Sequence, residues 1–209
     1  MDASTIRVLA INGSTQLGDE TTILLRHTLR EIELDGLQTE LIELSGEQIH
    51  DCLACHECSS SRNGQCKQTD DTGNALIRKM AEADGILLGS PAQAEGVGRE
   101  MKALLDRACM VAKTNGMIFR HKVGATVVTM RRAGSVQAFD SLNRFFLINE
   151  MLVAGSTYWE TGIGSDAGES ALDPQGISRM RALGRNMAWL LESTHGQKAV
   201  GESLEIVSQ

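Results

Sequence analysis

Aromatic side chains are scarce. Four Phe, two Trp and one Tyr make up 3% of the 209 residues. With 42% apolar residues to draw on, the core must be aliphatic, with nine Met as filler. No apolar run is long enough to span a bilayer. The first residues, Met1 to Thr5, are short and polar and lack the charged and then apolar regions of a signal peptide. These absences predict a cytoplasmic protein with no membrane partner. Basic residues are outnumbered, with 20 Lys and Arg against 27 Asp and Glu, a formal net charge of −7. That balance argues against nucleic acid or an anionic membrane as a general partner, though it allows a local pocket for one phosphate. There is no internal repeat and no low-complexity tract. Of only two Pro, Pro91 fixes φ in a loop and Pro174 takes the first turn of a helix.

What is present alternates. Short apolar runs at 6–12, 39–44, 85–89, 123–129 and 151–156 read as strands. Between and after them, 21–34, 71–83, 97–108, 136–149 and 173–196 carry helical spacing or caps. Val97, Met101, Leu104, Leu105 and Ala108 mark one helix face, and Ile177, Met180, Met187 and Leu191 another. Asp173 can cap the last helix and Gly196 can end it. Five strands alternating with helices predict an α/β fold, a doubly wound parallel sheet in the flavodoxin-like order 2-1-3-4-5. The chain reads as a single domain over residues 1–209, with a cysteine-rich insertion at residues 50–70 after the second strand. In such a sheet the ligand sits beyond the carboxyl ends of the strands. The loops at 13–20, 90–98 and 131–135 therefore matter most.

The first loop, Gly13 to Glu20 and on to Thr22, puts two glycines and several hydroxyls before a helix start. Free N–H groups and the positive end of the helix dipole make a phosphate cradle there. It lacks the dinucleotide glycine spacing and a P-loop Lys, so a single terminal phosphate suits it better than a triphosphate. The segment also reads as an ordinary βα turn with a Thr cap. The loop at 90–98 is rich in small residues, which lets a flat ligand approach the backbone, and it also reads as a plain connection.

Four of the five cysteines fall within fifteen residues as Cys52-x2-Cys55-x2-Cys58-x7-Cys66. In a cytoplasmic chain such crowding reads as metal or redox ligation rather than disulfides. Three closely spaced thiols on a turn can take three corners of an iron–sulfur cubane. A four-cysteine zinc site is an alternative, although these usually come as two separated C-x2-C pairs. His50 and His56 are further candidate ligands. Cys109 reads as a small core residue, and His27 and His121 as surface or capping residues. His195, in the final turn, suits the dipole.

The chain resembles the NADPH-dependent FMN reductase family, and within it the iron–sulfur flavoproteins. The matching pieces are Gly13-Ser14 with Thr21, Gly64-x-Cys66 with Asp70-Asp71, and Ala83-Asp84 leading to Gly89-Ser90-Pro91. Met101-Lys102-Ala103-Leu104-Leu105-Asp106-Arg107 and Phe145-Phe146 running to Met151-Leu152-Val153-Ala154-Gly155 follow in order. The resemblance implies non-covalent FMN, with its phosphate on Ser14, Gln16, Thr21 and Thr22. The flavin ring would lie on Ser90, Pro91, Ala92, Gln93 and Ala94, with Arg131, Arg132 and Gly134 approaching from the loop after the fourth strand. It also implies that Cys66 closes a [4Fe–4S] cluster begun by Cys52, Cys55 and Cys58. NAD(P)H or a ferredoxin would donate electrons, and the protein would be a homodimer or homotetramer with the flavin near a subunit contact. No catalytic acid, base or nucleophile is implied. A cluster-free flavin or quinone reductase and a non-enzymatic redox carrier or sensor are the rival functions.

The chain departs from the family's usual pattern. Gln16 stands where Arg is usual, Glu20 where Asn is usual, and no aromatic lies near Gln93 and Ala94. Each change removes a charge-assisted contact, adds negative charge or weakens stacking, so modest FMN affinity is expected. Arg131-Arg132 reads equally as a solvated pair. Tyr158 and Trp159 are expected to fill a core or an interface, or to cover the flavin.

Overall fold

The computed structural model describes residues 6–93, 96–130, 134–164 and 168–195. Arg7–Asn12 forms β1, Gln38–Glu43 β2, Gly85–Pro91 β3 and Val123–Met130 β4. All pair in parallel, in the order β2-β1-β3-β4. The apolar runs of β1, β3 and β4 are buried on both faces, as the interior of a covered parallel sheet requires.

The edge beyond β4 departs from expectation. In place of one strand at 151–156 there are two, β5 at Leu152–Val153 and β6 at Thr161–Ile163. Each pairs with a different stretch of β4, β5 with Val123–Gly124 and β6 with Val128–Met130. The order 2-1-3-4-5 holds, with the fifth position shared by two short strands.

Side chains alternate across the sheet and divide the core in two. Val8, Ala10, Leu87, Val123, Ala125 and Val127 face α1 (Glu20–Leu34) and α6 (Pro174–Thr194). Leu9, Ile11, Ile86, Leu88 and Val128 face α3 (Gly73–Glu82), α4 (Arg99–Thr114) and α5 (Ser135–Ile148). A five-residue helix, α2 (Glu57–Ser61), lies inside the cysteine segment. Asp173 caps α6 as expected, its Oδ1 accepting from Gln175 N and Gly176 N, with Pro174 in the first turn. His195 closes that helix, its N–H bonded to Leu191 O. Among the described residues, no helix is long and apolar enough to cross a membrane.

Candidate flavin edge and cysteine cavity

Loops after β1, β3 and β4 meet at the carboxyl edge of the sheet. Gly13 N–H donates to Gly89 O, and Ala92 N–H to Thr129 O. The approach is close enough to need glycine: a Cβ on Gly98 would stand 2.9 Å from Gly13 O and 3.4 Å from Gln93 Nε2. Gly134 adopts φ 93° at the start of α5, its missing Cβ facing Ala92 and Gln93 O. Gln93 and Gly96 exchange backbone bonds across a tight hairpin. Pro91 and Ala92 are half-buried and Gln93 is exposed, whereas Ser90 is fully buried with its hydroxyl donating to Pro91 O. Ala94, Arg131 and Arg132 lie outside the described residues.

At the start of α1 the protein supplies its own anion. Asp19 caps the helix, accepting from Thr22 N–H at 3.0 Å and from the Thr21 hydroxyl at 3.0 Å. Asn12, fully buried at the end of β1, donates to Asp19 Oδ1 (2.8 Å) and Thr22 Oγ1 (2.9 Å), and accepts from Ser14 N–H. Thr22 gives its hydroxyl proton to Glu43, which also accepts from Gly18 N–H. The Thr21 hydroxyl also meets that of Thr129 at 2.8 Å. Glu20 turns away from the loop, its carboxylate accepting from Gly168 N–H (2.5 Å) and Ser170 N–H (2.6 Å). The hydroxyls of Thr21 and Thr22 thus already serve protein partners. The N–H groups of Glu20 and Thr21 have no intrahelical acceptor. The Ser14 hydroxyl is buried and the Gln16 side chain is exposed. These donors, with the bare glycine backbone at the ring end, fit an FMN whose phosphate competes with Asp19.

The cysteine segment joins β2 to α3 and is closed at both ends by one carboxylate. Asp71 Oδ2 accepts from His50 N–H at 2.7 Å, and Oδ1 from Gly73 N–H at 3.0 Å. Asp71 also pairs with Arg107 of α4, both side chains fully buried. Burial alone would push the Asp71 carboxyl up, but the His50 N–H, Arg107 and the Gly73 N–H together hold it below the ordinary aspartate value. Asn74 clamps the far side, with its Oδ1 taking Cys66 N–H and its Nδ2 donating to Cys66 O and Gln68 O. Asn115 takes Gly64 N–H at 2.8 Å. Between these anchors Ala54, His56 and Arg62 adopt left-handed backbone (φ 50°, 58° and 47°), so the chain coils tightly around Cys55 and Cys58.

All four cysteines, Cys52, Cys55, Cys58 and Cys66, line one cavity, together with His56, Lys67 and Arg107. No Asp or Glu is among its described lining residues. Among the described residues, no three His, Cys, Asp or Glu side chains are arranged to hold a single metal ion. A cavity lined by four thiols, with one Arg and one Lys beside them, suits an anionic group that takes each thiolate at a separate corner.

The remaining candidates sit apart. Cys109 is half-buried in a groove between α4 and α5, where burial raises its thiol pKa. Burial, then Arg181 and Arg30, lowers the pKa of His27. Tyr158 and Trp159 are exposed rather than core, with Arg179 over the Tyr158 ring at 5.2 Å. Sequence reasoning missed Asn12, Asp19 as an internal anion, Glu43, Asp71, Asn74, Arg107 and Asn115. Arg107 did leave a signal. It falls three residues after Leu104 and four before Val111, on the apolar face of its helix.

Fold and loops together define a flavodoxin-like, flavin-binding class. The profile described as NADPH-dependent FMN reductase matches residues 6–166. The chain belongs to that family and is an FMN-binding flavoprotein of the oxidoreductase kind. An iron-sulfur flavoprotein of Methanocaldococcus jannaschii is 34% identical over 190 residues, 88% of this chain and 96% of its own length. One from Archaeoglobus fulgidus is 32% identical over 201 residues, 90% and 97% of the two chains. Among solved structures, RosB with a bound formylriboflavin phosphate intermediate has a TM-score of 0.74 at 14% identity, covering 91% of this chain and 80% of its own. An archaeal flavodoxin has a TM-score of 0.59 at 13% identity, covering 90% and 99%. These two structures speak for the fold alone.

Proposed function

We propose that the chain is an electron-transfer flavoprotein that holds FMN at the carboxyl edge of the sheet and a [4Fe–4S] cluster on Cys52, Cys55, Cys58 and Cys66. The observation that carries this reading is the single cavity shared by the four thiols, with Arg107 and Lys67 and no carboxylate among its described lining residues. The names of the two relatives above support it. When bound, FMN supplies two-electron chemistry and the cluster one-electron transfer.

The chain's own residues hold and tune. The N–H groups of Glu20 and Thr21, with Ser14 and Gln16, would take the phosphate. Pro91, Ala92, Gln93 and Gly134 would form the bed of the ring, to which the family resemblance adds Ala94, Arg131 and Arg132, outside the described residues. No side chain is needed as acid, base or nucleophile. The electron donor is NAD(P)H or a ferredoxin, and the working form is a homodimer or homotetramer in the reducing cytoplasm, where thiols persist. A second reading, an NAD(P)H-dependent flavin or quinone reductase without a cluster, is favoured by the family's NADPH-dependent description.

Anaerobic titration of the FMN-loaded protein with NADPH, NADH or reduced ferredoxin, followed by visible absorbance, tests the reading. Bleaching of the flavin together with a broad cluster absorbance is expected. Flavin bleached by NAD(P)H with no broad absorbance selects the second reading, and no bleaching by any donor overturns both.

A further inference from the structure

We propose that Arg107 is a positioning residue for the four-cysteine cluster, supplying a buried positive charge and an Nε–H hydrogen bond to one of its sulfurs. The inference rests on the iron–sulfur reading above.

Arg107 has no exposed surface, although it lies on α4 among Leu104, Ala108 and Val111, all buried. Burying a guanidinium is unfavourable unless its charge and its donors are all answered. Most of this one is answered. Nη1 pairs with Asp71 and reaches His50 O at 3.5 Å, and Nη2 donates to Gln68 O at 3.1 Å. The fit is close enough that a Cβ on Gly73 would stand 2.6 Å from Nη1. One N–H of Nη2 is left over, and Nε is buried with no partner among the described residues. An unsatisfied buried N–H needs an explanation, and the surroundings of Arg107 offer one. The same side chain lines the cavity that holds all four thiols.

The charge argues the same way. A [4Fe–4S] core on four thiolates is an anion, and the described lining of this cavity carries Arg107 and Lys67 and no carboxylate, Asp71 and Glu57 pairing with these two cations from outside the lining. Gln68 already brings one amide donor to 3.9 Å from Cys66 Sγ. Asp71 fixes the guanidinium and also ties His50 and Gly73, so the two ends of the cysteine segment and the cation move as one unit. A cation and an N–H donor at the sulfurs favour the reduced, more negative cluster and raise its potential.

The test is Arg107→Lys in anaerobically purified protein, beside native protein labelled with 15N-arginine. Lys keeps the charge opposite Asp71 and loses the Nε–H. The variant is expected to keep its iron, sulfide and FMN while the cluster's midpoint potential falls. The reduced native protein is expected to show 15N hyperfine coupling in pulsed EPR, persisting in Arg62→Lys and lost in Arg107→Lys. An unchanged potential with a full cluster, or no coupling in the native protein, overturns the proposal and leaves Arg107 as the partner of Asp71 alone. Should Arg107→Lys fail to fold, the coupling in the native protein and in Arg62→Lys decides by itself. Native protein with zinc or without iron overturns the cluster reading, and this proposal with it. The iron count tells that failure from the first.

Discussion

Asp19 occupies the position that a flavin phosphate would contest. Its carboxylate takes Thr22 N–H and the Thr21 hydroxyl, donors that a phosphate would otherwise use at the start of α1. Asp19→Asn keeps a good helix cap and removes the charge. The variant is expected to bind FMN about tenfold more tightly, the worth of one charge-assisted contact, and riboflavin no better, by flavin fluorescence titration. Equal gains for both flavins would place Asp19 away from the phosphate. Asp71 sets a second expectation. Its folded carboxyl lies below the ordinary value, so its stabilisation is complete above the unfolded pKa, near 4, and is lost as pH falls through the lower folded value. Melting temperatures across that range should fall for the native chain and fall less for Asp71→Asn. Arg107→Ala, which leaves Asp71 buried and unpaired, should cost about 3–5 kcal/mol in denaturant unfolding. These roles were only half legible in the sequence. The cysteine spacing announced a site. The place of Arg107 on an apolar stripe was a signal left unread, and its partner lies 36 residues away, so only the fold brings the two together.

The strands, helices and loops were legible to different degrees. Runs such as Val8 to Ile11 and Ile86 to Leu88 are apolar on both faces, and their shortness and regular alternation with helical segments mark them as central parallel strands. The fifth position was not legible as built. Leu152 and Val153 are partly exposed at the edge, and Thr161–Ile163 contains a glycine whose Cβ would stand 2.4 Å from Leu24 Cδ1, so neither strand carries a strong apolar signal. The helix α2 was silent for another reason, since five residues, mostly Ser, carry no periodicity. The loops at the carboxyl edge are held close by Gly13 and Gly98. Gly98→Ala would drive a Cβ onto Gly13 O and part the loops proposed to make the ring bed. It is expected to weaken FMN binding about tenfold or more by the same titration. Unchanged affinity would show that the bed does not depend on this approach.

Over the whole molecule, an acidic chain keeps its cations for particular places. The net charge of −7 argues against general attraction to polyanions, yet Arg107 and Lys67 both line the cysteine cavity. The loops proposed to hold the flavin meet at the carboxyl ends of the strands, where the alternating pattern predicts a ligand. The segment from β2 to α3 adds a separate chemistry, and Asp71 closes it as a loop. Cys55→Ser would remove one of the proposed corner ligands and should sharply lower iron content while FMN content stays near that of the native chain. The measurement that bears most directly on this account is the iron, sulfide, zinc and FMN content of anaerobically purified protein. About four iron, four sulfide and one FMN per chain, the last supplied in the buffer if needed, is the expected result. Zinc, or no metal, in a chain that still binds FMN would contradict it and leave the cysteines a structural role.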